Sequence, residues 1–158
     1  MGVGVDDFRP KKKHFWHYLE IPEDPEVVEI MPGFEIEYMI TDNTVEGNDS
    51  AVFGHCIFPP KSGHHKHKHV NAAESMYVIK GKLVIGITTE EGDVETVCPP
   101  GTCLFVKKGQ TTWCRNPFEE PVEFVFTYYG VSSLEKSGEV DMRPPRTKKL
   151  MTTETSKK

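Results

Sequence analysis

An all-β domain, two sheets wrapped into a barrel, is the architecture these 158 residues point to. Two features carry that expectation. Between Gly33 and Gly130, short runs rich in Val, Ile, Phe and Tyr recur at roughly 8–12-residue spacing, the rhythm of sandwiches and barrels. Pro59-Pro60, Gly92, Pro99-Pro100-Gly101, Gly109 and Asn116-Pro117 punctuate the runs, and such residues turn a chain or stop a ladder.

The elements follow in order. Phe34, Ile36, Tyr38 and Ile40 alternate with Glu35, Glu37 and Met39, giving a strand with one apolar face. Ala51–Phe58 is a β-branched and aromatic run that stops at the proline pair. A strand over 74–80 follows a His-rich stretch. Leu83, Ile85 and Ile87 then share a face, and Glu90-Glu91-Gly92-Asp93 turns the chain into a strand over 94–97. Runs over 102–106 and 111–115 precede a last long strand, Val122–Tyr129. In the 111–115 run, Thr112 and Cys114, with Asn116 beyond, face one way, while Thr111, Trp113 and Arg115 face the other. After Gly130, Ser132-Ser133-Leu134-Glu135 reads as the cap of one helical turn that Gly138 ends. The chain divides into an arm over 1–32, a barrel over 33–130, and a helical turn with a disordered basic tail over 131–158. In the arm, Phe15-Trp16-His17-Tyr18 is too apolar for a free tail and is expected to dock on the barrel or on a partner subunit.

The chemistry concentrates in one place. Four of the seven histidines fall within 64–69, interleaved with Lys66 and Lys68. On a strand, His67 and His69 share a face, and a turn over 70–73 brings Glu74 back beside them. Two imidazoles and one carboxylate form a divalent-metal site of the facial type, which leaves coordination positions open. His65 shares the parity of His67 and His69. His64 does not.

This stretch resembles the first motif of the cupin superfamily: His-x-His, three or four residues, Glu, six residues, Gly. His67, His69, Glu74 and Gly81 match that spacing. The family's leading glycine falls at Lys61. Residues 92–116 resemble the second motif, with Asn116 in place, but its metal-ligand histidine reads Thr112 and its proline reads Lys107. The resemblance covers roughly 33–130. It implies a double-stranded β-helix, the jelly-roll barrel, with a metal held by His67, His69 and Glu74. His65, His55 and Cys114 are further ligand or pocket-lining candidates, as is Asn116. Glu74 and Thr112 are the expected catalytic residues, Thr112 through a hydroxyl that hydrogen-bonds a bound water or substrate.

Composition excludes other classes. A formal net charge of −5 argues against nucleic-acid binding, although the end of the chain is basic. No apolar run approaches the roughly 20 residues that span a bilayer, and no secretory leader is visible, so a cytoplasmic setting without membrane contact is expected. Cys56, Cys98, Cys103 and Cys114 show no metal-ribbon or disulfide spacing and read as buried small hydrophobes. The expected function is a metal-dependent enzyme on a small organic substrate that chelates the ion. Fe(II)-type dioxygenation, an oxidoreductase activity, is favoured, with Zn, Mn or Ni as other candidate ions and a homodimer as the assembly. A non-redox decarboxylase, isomerase or lyase and a non-catalytic ligand-binding module are the alternatives.

Overall fold

A computed structural model describes residues 15–17, 21 and 34–143. Ten strands and one helical turn follow one another: β1 (Glu35–Ile40), β2 (Ala51–Phe58), β3 (Ser62–His69), β4 (Ala73–Lys80), β5 (Leu83–Thr89), β6 (Gly92–Cys98), β7 (Cys103–Val106), β8 (Thr112–Asn116), β9 (Val122–Tyr129), α1 (Leu134–Ser137) and β10 (Glu139–Asp141). They form two five-stranded sheets, β1-β2-β9-β4-β7 and β10-β3-β8-β5-β6. Every pairing is antiparallel. This is the jelly-roll barrel.

Alternation places the core. On β9, Val122, Phe124, Phe126 and Tyr128 are buried, while Glu123, Val125 and Thr127 are less so. From β2 come Val52, Cys56 and Phe58; from β4, Met76 and Val78; from β5, Leu83 and Ile85. Rings meet edge to face inside, Phe34 on Phe58 at 4.5 Å and Phe58 on Phe124 at 5.0 Å. Each such side chain contributes roughly 1.5–3 kcal/mol by leaving water. Thr112, Cys114 and Asn116 are buried, and Arg115 is exposed, as the parity of β8 requires.

The cysteine expectation needs one correction. Cys56, Cys98 and Cys114 are buried, but Cys103 is exposed, because it lies on the outer face of the edge strand β7.

Two irregularities position the site. Strand β3 carries a bulge: His64 faces Cys114 and His67 faces Thr112, so three steps on β3 match two on β8. One extra residue breaks the strict alternation. The turn entering β3 holds Lys61 at φ 58, left-handed for a non-glycine residue. Gly81, at φ 79, closes the β4–β5 corner, where an added Cβ would meet the Pro121 carbonyl at 2.4 Å.

After β9 the chain returns to the site. Ser133 Oγ accepts from Lys136 N at 3.1 Å, and Gly138 at φ 67 ends α1. The N–H groups of Val70 and Asn71 donate to the Gly138 and Ser137 carbonyls, clipping α1 to the turn after β3. Strand β10 then pairs with β3. The arm over 1–32 and the tail after 143 lie outside the described residues, apart from 15–17 and 21. Within these, the Trp16 indole donates to the Met39 carbonyl at 3.1 Å, docking it on β1, while Phe15 is 97% exposed. Among the described residues no helix is long and apolar enough to cross a membrane.

Candidate metal centre

His67, His69 and Glu74 each bring a ligand atom within 4.8 Å of the other two, and all three are buried. Strand β3 supplies the imidazoles, and β4, in the facing sheet, supplies the carboxylate. His69 Nε2 lies 3.7 Å from Glu74 Oε2. That is too long for a hydrogen bond. Both atoms are buried and have no hydrogen-bond partner among the described residues. Such orphaned groups cost free energy unless something satisfies them. Two bonds of about 2.1 Å to one cation span up to about 4.2 Å, so a divalent ion fits between these atoms.

The hydrogen bonds assign the tautomers. Ser137 Oγ has one proton, and it donates to the Leu134 carbonyl at 2.5 Å. Ser137 Oγ therefore accepts from His69 Nδ1 at 2.8 Å, which leaves His69 Nε2 as a lone pair facing Glu74. His67 Nδ1 lies 2.8 Å from the His65 carbonyl, which only accepts, so the proton is on Nδ1 and the lone pair on Nε2. Burial is the main force holding His69 down to about 4, helped by the neighbouring His67. His67 is lowered too, chiefly by burial. Both are neutral at pH 7, as ligands must be. Burial pushes Glu74 up to about 8, so these surroundings disfavour its charge and a cation would restore it.

The other sequence-nominated residues take different places. Thr112 is 1% exposed, lines the same cavity and stands opposite His67, so the second-motif position does face the site. Its hydroxyl donates to the Gly86 carbonyl at 2.9 Å and is left as an acceptor. Cys114 lines the cavity with its thiol pushed up to about 12 by burial, which keeps it a protonated apolar group. His65 sits at the cavity rim, stacked on His64 at 4.6 Å. His55 does not join the site. It lies on the outer face of β2, bonded to Glu37 and Glu123 at 2.8 Å each. Asn116 is a staple: its amide donates to the Phe58, Pro59 and Glu120 carbonyls, and its oxygen accepts from Phe118 N.

Two neighbours escaped parity reasoning. The bulge turns His64 inward, where its Nδ1 meets His67 Nδ1 at 3.0 Å and accepts the proton shared with the His65 carbonyl. Burial, then the charges of His67 and His65, drives His64 down to about 3. His64, His67 and Glu139 form a second ligand-like group, but its Glu139 is exposed and the Nδ1 proton of His67 points into it. Ser137 is the other; its only signal in sequence was the capped turn that carries it.

The cavity above the triad measures about 530 Å³. His67 and Glu74 line it, so an ion held by the triad would be open to whatever enters.

Residues 54–128 match the family model described as Cupin domain. No curated protein matches the sequence. Among solved structures, the chain is similar to an oxalate oxidase in complex with the substrate analogue glycolate, at 17% identity and TM-score 0.65, over 81% of this chain and 63% of that one. It therefore spans less than two thirds of that protein. It is similar to Bacillus subtilis oxalate decarboxylase, in a structure concerned with its Mn(II) centres, at 16% identity and TM-score 0.66, over 80% and 31% of the two chains. Peruvianin-I from Thevetia peruviana latex, described as a cysteine peptidase, matches at 10% identity and TM-score 0.64, over 80% and 76%. Identities this low speak for the fold and not for a shared reaction. Over residues 54–128, a little under half of the chain, barrel, motif spacing and family match agree on a cupin domain.

Proposed function

We propose that this chain is a metal-dependent cupin enzyme that holds one divalent cation through His67, His69 and Glu74. It acts on a small organic substrate chelated at the open positions, as an Fe(II)-type dioxygenase. The observation that carries this is a pair of buried atoms, His69 Nε2 and Glu74 Oε2, which face each other and have no hydrogen-bond partner among the described residues. A bound Fe(II) supplies redox chemistry toward O₂ and Lewis acidity toward a chelated oxygen pair.

The chain's own residues do the rest. Ser137 and the His65 carbonyl orient the two imidazoles. Thr112 offers a hydroxyl lone pair to a substrate O–H or a water at the position where other cupins carry a fourth ligand. The aromatic walls exclude bulk water. A homodimer and a cytoplasmic setting belong to the same proposal, and mass in solution tests the dimer.

A Mn(II) enzyme running non-redox decarboxylation is the second reading, favoured by the similarity to oxalate decarboxylase. Metal analysis of anaerobically purified protein, followed by O₂ uptake with catechols, diketones and oxo-acids, separates the two. Stoichiometric iron with substrate-dependent O₂ loss is the expected result. Manganese with CO₂ release and no O₂ loss selects the second. Protein that neither carries nor takes up a divalent ion overturns both and leaves a ligand-binding module.

A further inference from the structure

Building on the metal centre proposed above, we infer that its substrate carries a flat apolar body, about one substituted aromatic ring, behind chelating oxygens. At least one of those oxygens bears a proton. A catechol or an enolised 1,3-diketone has this chemistry, whereas a bare dicarboxylate such as oxalate is a poor ligand.

Size is the first reason. A cavity of about 530 Å³ falls within the range of small-molecule sites and is far larger than a two-carbon diacid. Its walls are the second. Ile36, Tyr38, Phe58, Met76, Phe124 and Phe126 all line it. An aromatic wall of successive edge-on or tilted contacts runs from rim to metal centre: Tyr38 to Phe126 at 5.7 Å, Phe126 to Tyr128 at 5.2 Å, Tyr128 to His69 at 4.5 Å. A ring seated against that wall reaches the ion with its edge and packs with its plane.

Charge and hydrogen bonding are the third. Arg143 is the one lysine or arginine among the described lining residues, and its Nε is held by Asp141 at 3.0 Å. Glu74 and Glu139 line the same space. With Glu74 committed to the ion, a dianion would still meet the Glu139 carboxylate and, among the described lining residues, no lysine or arginine without an acidic partner. Thr112 has already given its proton to Gly86, so it complements an O–H and not a carboxylate oxygen.

The test is calorimetric titration of Mn(II)-loaded protein under argon with 4-methylcatechol, benzoylacetone and oxalate. The two ring-bearing chelators are expected to bind at least ~10-fold more tightly than oxalate, about the effect of burying part of one ring. Oxalate binding as tightly as either overturns the inference. The rim variants Tyr38→Gln and Leu134→Gln, at partly exposed positions, should weaken benzoylacetone severalfold with bound Mn(II) unchanged. Unchanged benzoylacetone affinity in both, with the fold intact, counts against the ring-binding wall. A last arm uses 4-phenyl-2-butanone, which keeps the ring and lacks the chelate. It should bind metal-free and loaded protein equally, and no binding to either refutes the apolar seat. If Mn(II) does not load, the metal centre fails, and this arm still decides the question of the seat.

Discussion

The barrel holds two clusters of histidine and carboxylate with nearly the same composition and opposite character. On the outer face of β1, β2 and β9, His55 lies between Glu37 and Glu123, with 2.8 Å contacts to each. Both ring nitrogens are satisfied, and the two carboxylates raise the imidazole above its ordinary value, although burial opposes them. On the inner face, His67, His69 and Glu74 are buried like His55 and Glu37, yet His69 Nε2 and Glu74 Oε2 have no hydrogen-bond partner among the described residues and the imidazoles are lowered. A protonated His55 completes the outer cluster. In the inner cluster the two facing atoms stand 3.7 Å apart, too far to satisfy each other. Burial and residue type do not separate a structural ion pair from a ligand set; hydrogen-bond satisfaction does.

That contrast can be broken in four ways. The largest expected effect is His69→Ala, which removes one of three ligands. Bound divalent metal, measured by elemental analysis, should fall at least ~100-fold while circular dichroism still shows the barrel. Full occupancy in this variant would end the assignment. Ser137→Ala frees the His69 ring to rotate and should weaken metal affinity about 10–100-fold, as losses of such supporting bonds do. His55→Gln tests the outer cluster. It should cost about 2 kcal/mol or more of stability, since Glu37 is left buried with a poorer partner, and leave metal content unchanged. A loss of metal there would mean that the two faces are coupled.

The smallest effect sharpens the electrostatics. In metal-free protein, Glu74 holds its proton up to about 8 against an ordinary 4.5. Its contribution to stability is complete below pH 4.5 and drains as the pH rises toward 8. His69, lowered from 6.5 to about 4, runs the other way: its contribution is complete above pH 6.5 and drains as the pH falls toward 4. Glu74→Gln removes only the first slope. Its Tm without metal should overtake that of the parent by several degrees between pH 5 and pH 8, and the order should reverse when a divalent ion is added. Parallel Tm curves would show that Glu74 is not held protonated.

Much of the fold was legible because strand runs and turns are local signals. Ala51–Phe58 and Val122–Tyr129 stand where the run lengths put them, and the 102–106 and 111–115 runs moved by about one residue. The three motif residues come together because a tight turn joins β3 to β4. His64 was hidden because parity assumes an unbroken ladder. The extra residue between His64 and His67 reverses the face, and nothing in Gly-His-His-Lys-His announces a bulge. Ser137 was hidden by distance: it sits 68 positions from the ring it orients, and only the closed barrel joins them. His55 was a plausible ligand by residue type, but its partners Glu37 and Glu123 are contributed by neighbouring strands that no local pattern pairs with β2.

Lys61 has a mechanical consequence. The corner before β3 demands a left-handed residue, and where the cupin motif uses glycine this chain tolerates a lysine at roughly 1–2 kcal/mol. Its Nζ donates to the Pro117 carbonyl at 2.7 Å and pairs with Glu119. The ion pair is exposed and weak, whereas the carbonyl bond is neutral on one side and little screened by salt. The side chain acts as a guy-rope from the entry of the histidine-bearing strand to the loop leaving the threonine-bearing one. The ladder, starting at Ser62 opposite Asn116, sets the spacing of those two strands; the lysine extends the hold one residue beyond it, and Lys61→Gly would trade that tension for slack.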